Sequence, residues 1–247
     1  MKNHFRIGQI VPSSNVTMET EIPAVFRTRE HHYPERFTFH SARMRMKHVT
    51  PEALADMDAQ SDRCAVELSD AAVDVMGYAC LVAIMAQGLG YHRASQTRLQ
   101  QTTEQNDRPT PIVSSAGALV EGLHILGAKN LALIMPYAPP LAQKVVDYLE
   151  NEGFNVLDRV ALNITDNLEV AAQDPMQPLE ISKQLSLANV DAIVGSACVQ
   201  MPSLPAIQAI QDRTGVPTTS ASIATCRQMI DALSLTGPVH GFGALLD

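Results

Sequence analysis

Two cysteines in matching contexts carry the clearest chemical signal in this chain. Cys80 closes Gly77-Tyr78-Ala79-Cys80 and Cys198 closes Gly195-Ser196-Ala197-Cys198, so a Gly-x-Ala-Cys pattern occurs twice. A thiol facing helix N-termini and backbone N–H groups can have its pKa lowered, and the thiolate is the nucleophile. Two such thiols can divide a reaction between them. One can add to carbon while the other gives or takes a proton, or both can act as opposed bases on the two faces of a carbon acid. Spacing alone leaves both possibilities open. Cys64 and Cys226 fall within expected helices and read as small buried hydrophobes without a chemical role.

The elements around the two thiols repeat as well. Residues 72–76 and 190–194 are short apolar runs of the kind buried parallel strands use, and each is expected to end at its cysteine. A first strand over 6–11 stops at Pro12-Ser13-Ser14-Asn15, and a strand over 131–135 stops at Pro136-Tyr137-Ala138-Pro139-Pro140. Pro111-Ile112-Val113-Ser114 is answered by Pro217-Thr218-Thr219-Ser220, and each is followed by an apolar helix, 116–126 and 221–233. This common order marks an internal duplication. Between these landmarks the sequence predicts a helix over 17–30 interrupted at Pro23, a strand over 36–43 and a long helix from Pro51 to Val73. It further predicts, after Cys80, a Gly-containing loop Gln87-Gly88-Leu89-Gly90, a polar helix over 93–105, a helix over 141–152 capped by Gly153 and a strand over 154–162.

Strands alternating with helices imply parallel sheets. The expected fold is α/β: two pseudo-symmetric Rossmann-like lobes, each a short parallel sheet flanked by helices, with a site in the cleft between them. The expected division is residues 1–115 plus 221–247 for the lobe with Cys80 and 116–220 for the lobe with Cys198, the lobes exchanging their terminal helices. Ligands of open α/β sheets bind outside the carboxyl ends of strands, where both cysteines stand.

Composition narrows the alternatives. With 247 residues, 46% of them hydrophobic, the chain can bury a substantial core. It holds no run of about 18 apolar residues to span a bilayer and opens without the apolar region of a signal peptide, so a cytoplasmic location is expected. Four cysteines then read as thiols, and with no Cys-x-x-Cys pair no metal is expected. Eighteen basic against 26 acidic residues give a formal charge of -8 without a basic cluster, which argues against nucleic acid. The acceptor-like Asn15-Val16-Thr17 and Asn163-Ile164-Thr165 are read as ordinary turns rather than glycosylation sites. No Gly-x-Ser-x-Gly elbow, Walker loop or Gly-x-Gly-x-x-Gly fingerprint is present, which favours chemistry without a cofactor.

Uncharged donors cluster near the expected cleft. Ser13, Ser14 and Asn15 follow one strand and Tyr137 holds the matching place in the other lobe, although turn chemistry explains them equally well. Asn163 and Asn167 lie after the strand over 154–162 and are candidates to bind a carboxylate. The pair His31-His32, followed by Tyr33-Pro34, reads as a surface turn rather than a ligand pair.

Val11-Pro12-Ser13-Ser14-Asn15, Tyr78-Ala79-Cys80, Pro136-Tyr137 and Gly195-Ser196-Ala197-Cys198-Val199-Gln200-Met201-Pro202 resemble the aspartate/glutamate racemase superfamily and, within it, the maleate cis-trans isomerases. The likeness spans nearly the whole chain. Racemases of the superfamily usually follow the first cysteine with Asn-Thr and the second with Thr-His, whereas Leu81-Val82 and Val199-Gln200 stand here. Arylmalonate decarboxylases keep only the second cysteine, so Cys80 argues against that activity.

The resemblance implies cofactor-independent isomerisation of maleate to fumarate through a succinyl-cysteine. In that scheme Cys80 attacks an alkene carbon and Cys198 protonates its neighbour. It also implies that Asn15, Tyr137 and Asn167 hold the carboxylates, assisted by backbone N–H groups near Val82 and Val199 and by the Ser13-Ser14 turn. A homodimer acting on a small dicarboxylate is expected on the same ground. A two-cysteine racemase or epimerase of a small carboxylic acid is the alternative, and a non-catalytic dicarboxylate-binding protein a more distant one.

Overall fold

The computed structural model describes residues 2–46 and 51–247. The first half runs β1 (His4–Pro12), α1 (Met18–Arg29), β2 (Arg36–Met44), α2 (Pro51–Asp58), α3 (Ser61–Asp70), β3 (Val75–Tyr78), α4 (Leu81–Ala86), α5 (Tyr91–Gln105) and β4 (Ile112–Ser114). The second runs α6 (Ser115–Ile125), β5 (Asn130–Met135), α7 (Pro139–Asn151), β6 (Asn155–Ala161), α8 (Asn167–Ala171), α9 (Gln177–Ile181), β7 (Ala192–Ser196), α10 (Leu204–Thr214), β8 (Thr218–Ser220) and α11 (Ala221–Ala232).

Two four-stranded sheets result, in the orders β2-β1-β3-β4 and β6-β5-β7-β8, with every pair parallel. The same topology in both halves is the duplication expressed in three dimensions. β1 and β5 are central in their sheets and apolar, and Ile7, Ile10 and Val11, like Leu131 to Met135, are fully buried, as parallel strands covered on both faces require. Among the described residues no helix is long and apolar enough to cross a membrane.

The glycines of the repeated motif have a packing cause. A Cβ on Gly77 would lie 2.1 Å from Met229 Cε of α11, and one on Gly195 would lie 2.7 Å from Ile207 Cδ1 of α10. In each lobe a helix lies so close over the cysteine-bearing strand that a larger residue there would have to displace the end of Met229 or Ile207. α11 packs on β3, β4 and β8, and also against α1 and α6.

Three local expectations are corrected. Neither cysteine belongs to its strand: β3 and β7 each end two residues earlier, and they begin only after Asp74 and Asp191, which are held just ahead of them. The Asp74 carboxylate accepts the Arg6 N–H, and the Asp191 carboxylate accepts those of Lys129 and Asn130. The long helix after Pro51 is two helices, broken where the buried Asp58 accepts the Tyr78 and Tyr91 hydroxyls at 2.5 and 2.8 Å. The Gly-containing loop at 87–90 lies where expected, and the apolar residues between Cys80 and that loop form the short helix α4. Pro23 sits inside α1 without interrupting it.

Candidate active site

The last sheet-type bond of each lobe is made just before its cysteine. Ala79 N–H donates to the Ile10 carbonyl at 2.8 Å, and Ala197 N–H donates to the Ile134 carbonyl at 2.9 Å. Beyond that point the chain turns, and both thiols leave the sheets toward one another. Cys80 turns with φ +91° and ψ +73°, a left-handed conformation that costs a non-glycine residue energy, and it caps the start of α4. Cys198 stays closer to its own turn, where the Gln200 N–H points at its Sγ from 3.4 Å.

Both thiols line a single pocket, with Asn15 and Met46 from the first half, Leu81 and Val82 beside Cys80, Tyr137 and Asn167 from the second half, and Val199 and Gln200 beside Cys198. None of these side chains carries a charge. The pocket holds about 20 Å³, near the room of one water molecule, so a four-carbon diacid enters only when its walls move apart. A larger groove of about 320 Å³ along α11 and the C-terminal residues contains no thiol, so size alone does not mark the site.

Burial pushes the Cys80 thiol up to about 12, and the neighbouring Cys198 and Asp58 push the same way, against the Ala83 N–H that favours the thiolate. Burial raises Cys198 too, opposed by the Tyr137 hydroxyl and by the N–H groups of Gln200 and Met201. The expectation of lowered thiol pKa values is therefore corrected for this closed pocket, because desolvation outweighs the few backbone donors. The hydroxyl of Tyr137 has one proton for two acceptors. It lies 3.1 Å from the Ala197 carbonyl while also flanking the Cys198 sulfur.

The amide donors are built in from both lobes. Asn15, 1% exposed, accepts the Met18 N–H at 3.0 Å on Oδ1, while its Nδ2 lies 3.4 Å from the Val199 carbonyl. It is thus a turn residue and a pocket wall together. Asn167 opens α8 and donates from Nδ2 to Ser14 Oγ at 2.8 Å. Arg43 is spent on the Ser13 and Asn15 carbonyls and on Glu19, so it braces the loop that carries Asn15.

Of the residues singled out from sequence, Cys80, Cys198, Asn15, Tyr137, Asn167, Val82 and Val199 meet at this pocket. Ser13 and Ser14 are not among its walls: the Ser13 hydroxyl is engaged with the Met46 backbone, and that of Ser14 receives the Asn167 amide. Asn163 takes a positive φ of 58° in the preceding turn and stays away from the pocket. The turn at His31-His32 is exposed, and Cys64 and Cys226 are buried in α3 and α11. Pro12, Met46, Leu81 and Gln200 also line the site. Gln200 had a visible signal, a polar residue in the motif two positions after the second cysteine; Met46 had none.

Known proteins resemble this chain in sequence and fold. A profile of the arylmalonate decarboxylase family matches residues 7–246. A maleate isomerase from Pseudomonas putida is 59% identical over 100% of this chain and 98% of its own length. The crystal structure of a maleate isomerase from a second Pseudomonas putida strain superposes with a TM-score of 0.97 at 60% identity, covering 98% of each chain. A cysteine-to-serine mutant of the Nocardia farcinica maleate cis-trans isomerase, with a covalently bound succinylcysteine intermediate, superposes with a TM-score of 0.95 at 46% identity over 98% of each chain. Unliganded arylmalonate decarboxylase shares the fold at 20% identity with a TM-score of 0.78. With two pseudo-symmetric lobes, a thiol from each in one pocket and relatives this similar along its full length, the chain belongs to the maleate isomerases, within the wider family that includes the arylmalonate decarboxylases.

Proposed function

We propose that this protein converts maleate to fumarate without a cofactor, through a succinyl-cysteine. The observation that carries the reading is the pair of repeat-related thiols in one uncharged pocket whose walls include three carboxamides and a phenol. Cys80 acts as the nucleophile: its thiolate bonds to one alkene carbon while the Cys198 thiol delivers its proton to the other, leaving a single bond and a Cys198 thiolate. After rotation, Cys198 takes a proton back and the carbon–sulfur bond breaks, restoring the Cys80 thiolate and releasing the trans diacid.

Asn15, Asn167 and Tyr137 hold the carboxylates in this reading, with the N–H groups near Val82 and Val199. Neutral donors suit the task, because a full positive charge would hold one rotamer too tightly for a carboxylate to swing. Ser13 and Ser14 assist indirectly, by bracing Met46 and Asn167. The reading also includes the lobe division 1–115 plus 221–247 and 116–220, a homodimer and a cytoplasmic location.

Incubation with maleate alone, followed by proton NMR, tests the reaction: fumarate must appear without added metal or nucleotide. Rapid quench with intact-protein mass spectrometry tests the route. Turnover with no thiol adduct, together with an active Cys80→Ala variant, would mean that rotation occurs without a carbon–sulfur bond.

A further inference from the structure

Gln200 is 3% exposed and stands at the seam of the two lobes. Its Nε2 donates both hydrogens, one to the Ser14 carbonyl at 2.9 Å and one to the Asn167 carbonyl at 2.8 Å, and its Oε1 accepts the Val16 N–H at 3.1 Å. Two carbonyls on one side and an N–H on the other fix which end is nitrogen, so only a carboxamide satisfies all three partners. The residue's main chain is engaged as well. Its carbonyl accepts the Thr17 hydroxyl at 2.7 Å, and its N–H faces Cys198 Sγ.

The partners matter as much as the bonds. Ser14 and Val16 flank Asn15, and the Asn167 side chain in turn reaches Ser14 Oγ. One buried carboxamide therefore ties together the backbones that carry both proposed amide ligands and the turn that carries Cys198. The matching position two residues after Cys80 is Val82, which has no polar group to do the same. On that side α4 packs against α7. The duplication has thus become asymmetric at this residue.

We propose that Gln200 is a positioning residue, whose carboxamide clasps the loop after β1 to the start of α8 and so sets the relative placement of Asn15, Asn167 and Cys198. Gln200 acts through these residues and its effect differs from that of ordinary interlobe adhesion. The inference rests on the site reading above.

The test compares Gln200→Met, which keeps the length and removes every side-chain bond, with Thr17→Val, which removes a bond across the same seam without touching the carboxamide. Steady-state kinetics, thermal unfolding and the alkylation rate of Cys198, read by peptide mass spectrometry, are measured on each full-length variant. Gln200→Met is expected to raise KM and lower kcat by about tenfold or more each and to change Cys198 alkylation by at least about threefold. Thr17→Val is expected to stay within about threefold of wild type in all three. Gln200→Met within threefold of wild type, or both variants losing activity in proportion to their loss of thermal stability, overturns the proposal. Should Gln200→Met not fold, Gln200→Asn, which keeps the amide but shortens its reach, carries the same expectations. Cys198→Ser in the same assay tests the site reading by itself. If Cys198→Ser is inactive while Gln200→Met is unimpaired, the clasp fails and the site reading stands.

Discussion

The rate constant kcat/KM for maleate should climb about tenfold per pH unit between about pH 7 and pH 9, with no plateau in that range. With the Cys80 thiol pushed up to about 12, it lies about four units above pH 8, so about one molecule in 10⁴ carries the thiolate. Ionisation then costs about 5 kcal/mol of a barrier that, for a turnover of about 10 per second, totals about 16 kcal/mol. That leaves about 11 kcal/mol for bond formation, a barrier that a held and oriented substrate can meet. Because kcat/KM reports ionisations of the free enzyme, the slope reads the thiol in the closed pocket described above. Initial rates at low maleate give one measurement. The iodoacetamide labelling rate of Cys80, followed by peptide mass spectrometry, gives an independent one with the same expected slope. A plateau near neutral pH in both would refute the reasoning, since it would mean that the backbone donors at Cys80 outweigh its burial.

Four further outcomes are expected. Cys80→Ala should lose essentially all turnover, measured by fumarate formation, because in the proposed route Cys198 serves as the proton donor and no other group attacks the alkene carbon. Cys198→Ser should also be crippled, a hydroxyl being a poor acid and base near neutrality, and intact-protein mass spectrometry should find an adduct of maleate's mass on Cys80; a fully active variant would remove Cys198 from its role. Glu21 is buried, accepts the Ser203 and Leu204 N–H groups and the Ser222 hydroxyl, and is raised above its ordinary value of 4.5, mainly by desolvation. A raised carboxyl stabilises the fold below its unfolded pKa and loses that contribution as pH rises through the folded one, so Glu21→Gln should unfold at a higher temperature than wild type at pH 8, with the gap closing toward pH 4. Gly195→Ala should destabilise by about 1–3 kcal/mol through the clash with Ile207, seen as a fall of several degrees in Tm.

The duplication, the parallel α/β character and the two cysteines were legible in the linear sequence because each rests on local pattern. Buried strands announce themselves as apolar runs, glycine-capped helices by their caps, and a repeated Gly-x-Ala-Cys needs no partner to be seen. An apolar run does not say where its hydrogen-bonding partner begins, so the starts of β3 and β7 are not legible in it. The Asp74 and Asp191 carboxylates settle that by binding residues distant in sequence. The break at Asp58 was hidden for the same reason, its partners Tyr78 and Tyr91 being brought to it by the sheet and α5.

At the site, the sequence by itself determined which chemistry is available: two thiols in equivalent turns, uncharged donors nearby and no cofactor fingerprint. Only the tertiary structure decided how those groups are tuned and held. The Ser13 and Ser14 hydroxyls are engaged by the Met46 backbone and the Asn167 amide, off the pocket walls. The thiols rise in pKa because the lobes enclose them, and desolvation depends on every wall of the pocket at once. Gln200 gains its place from partners nearly the length of the chain away, Ser14 and Val16, and no pattern local to residue 200 encodes a contact made by two lobes meeting.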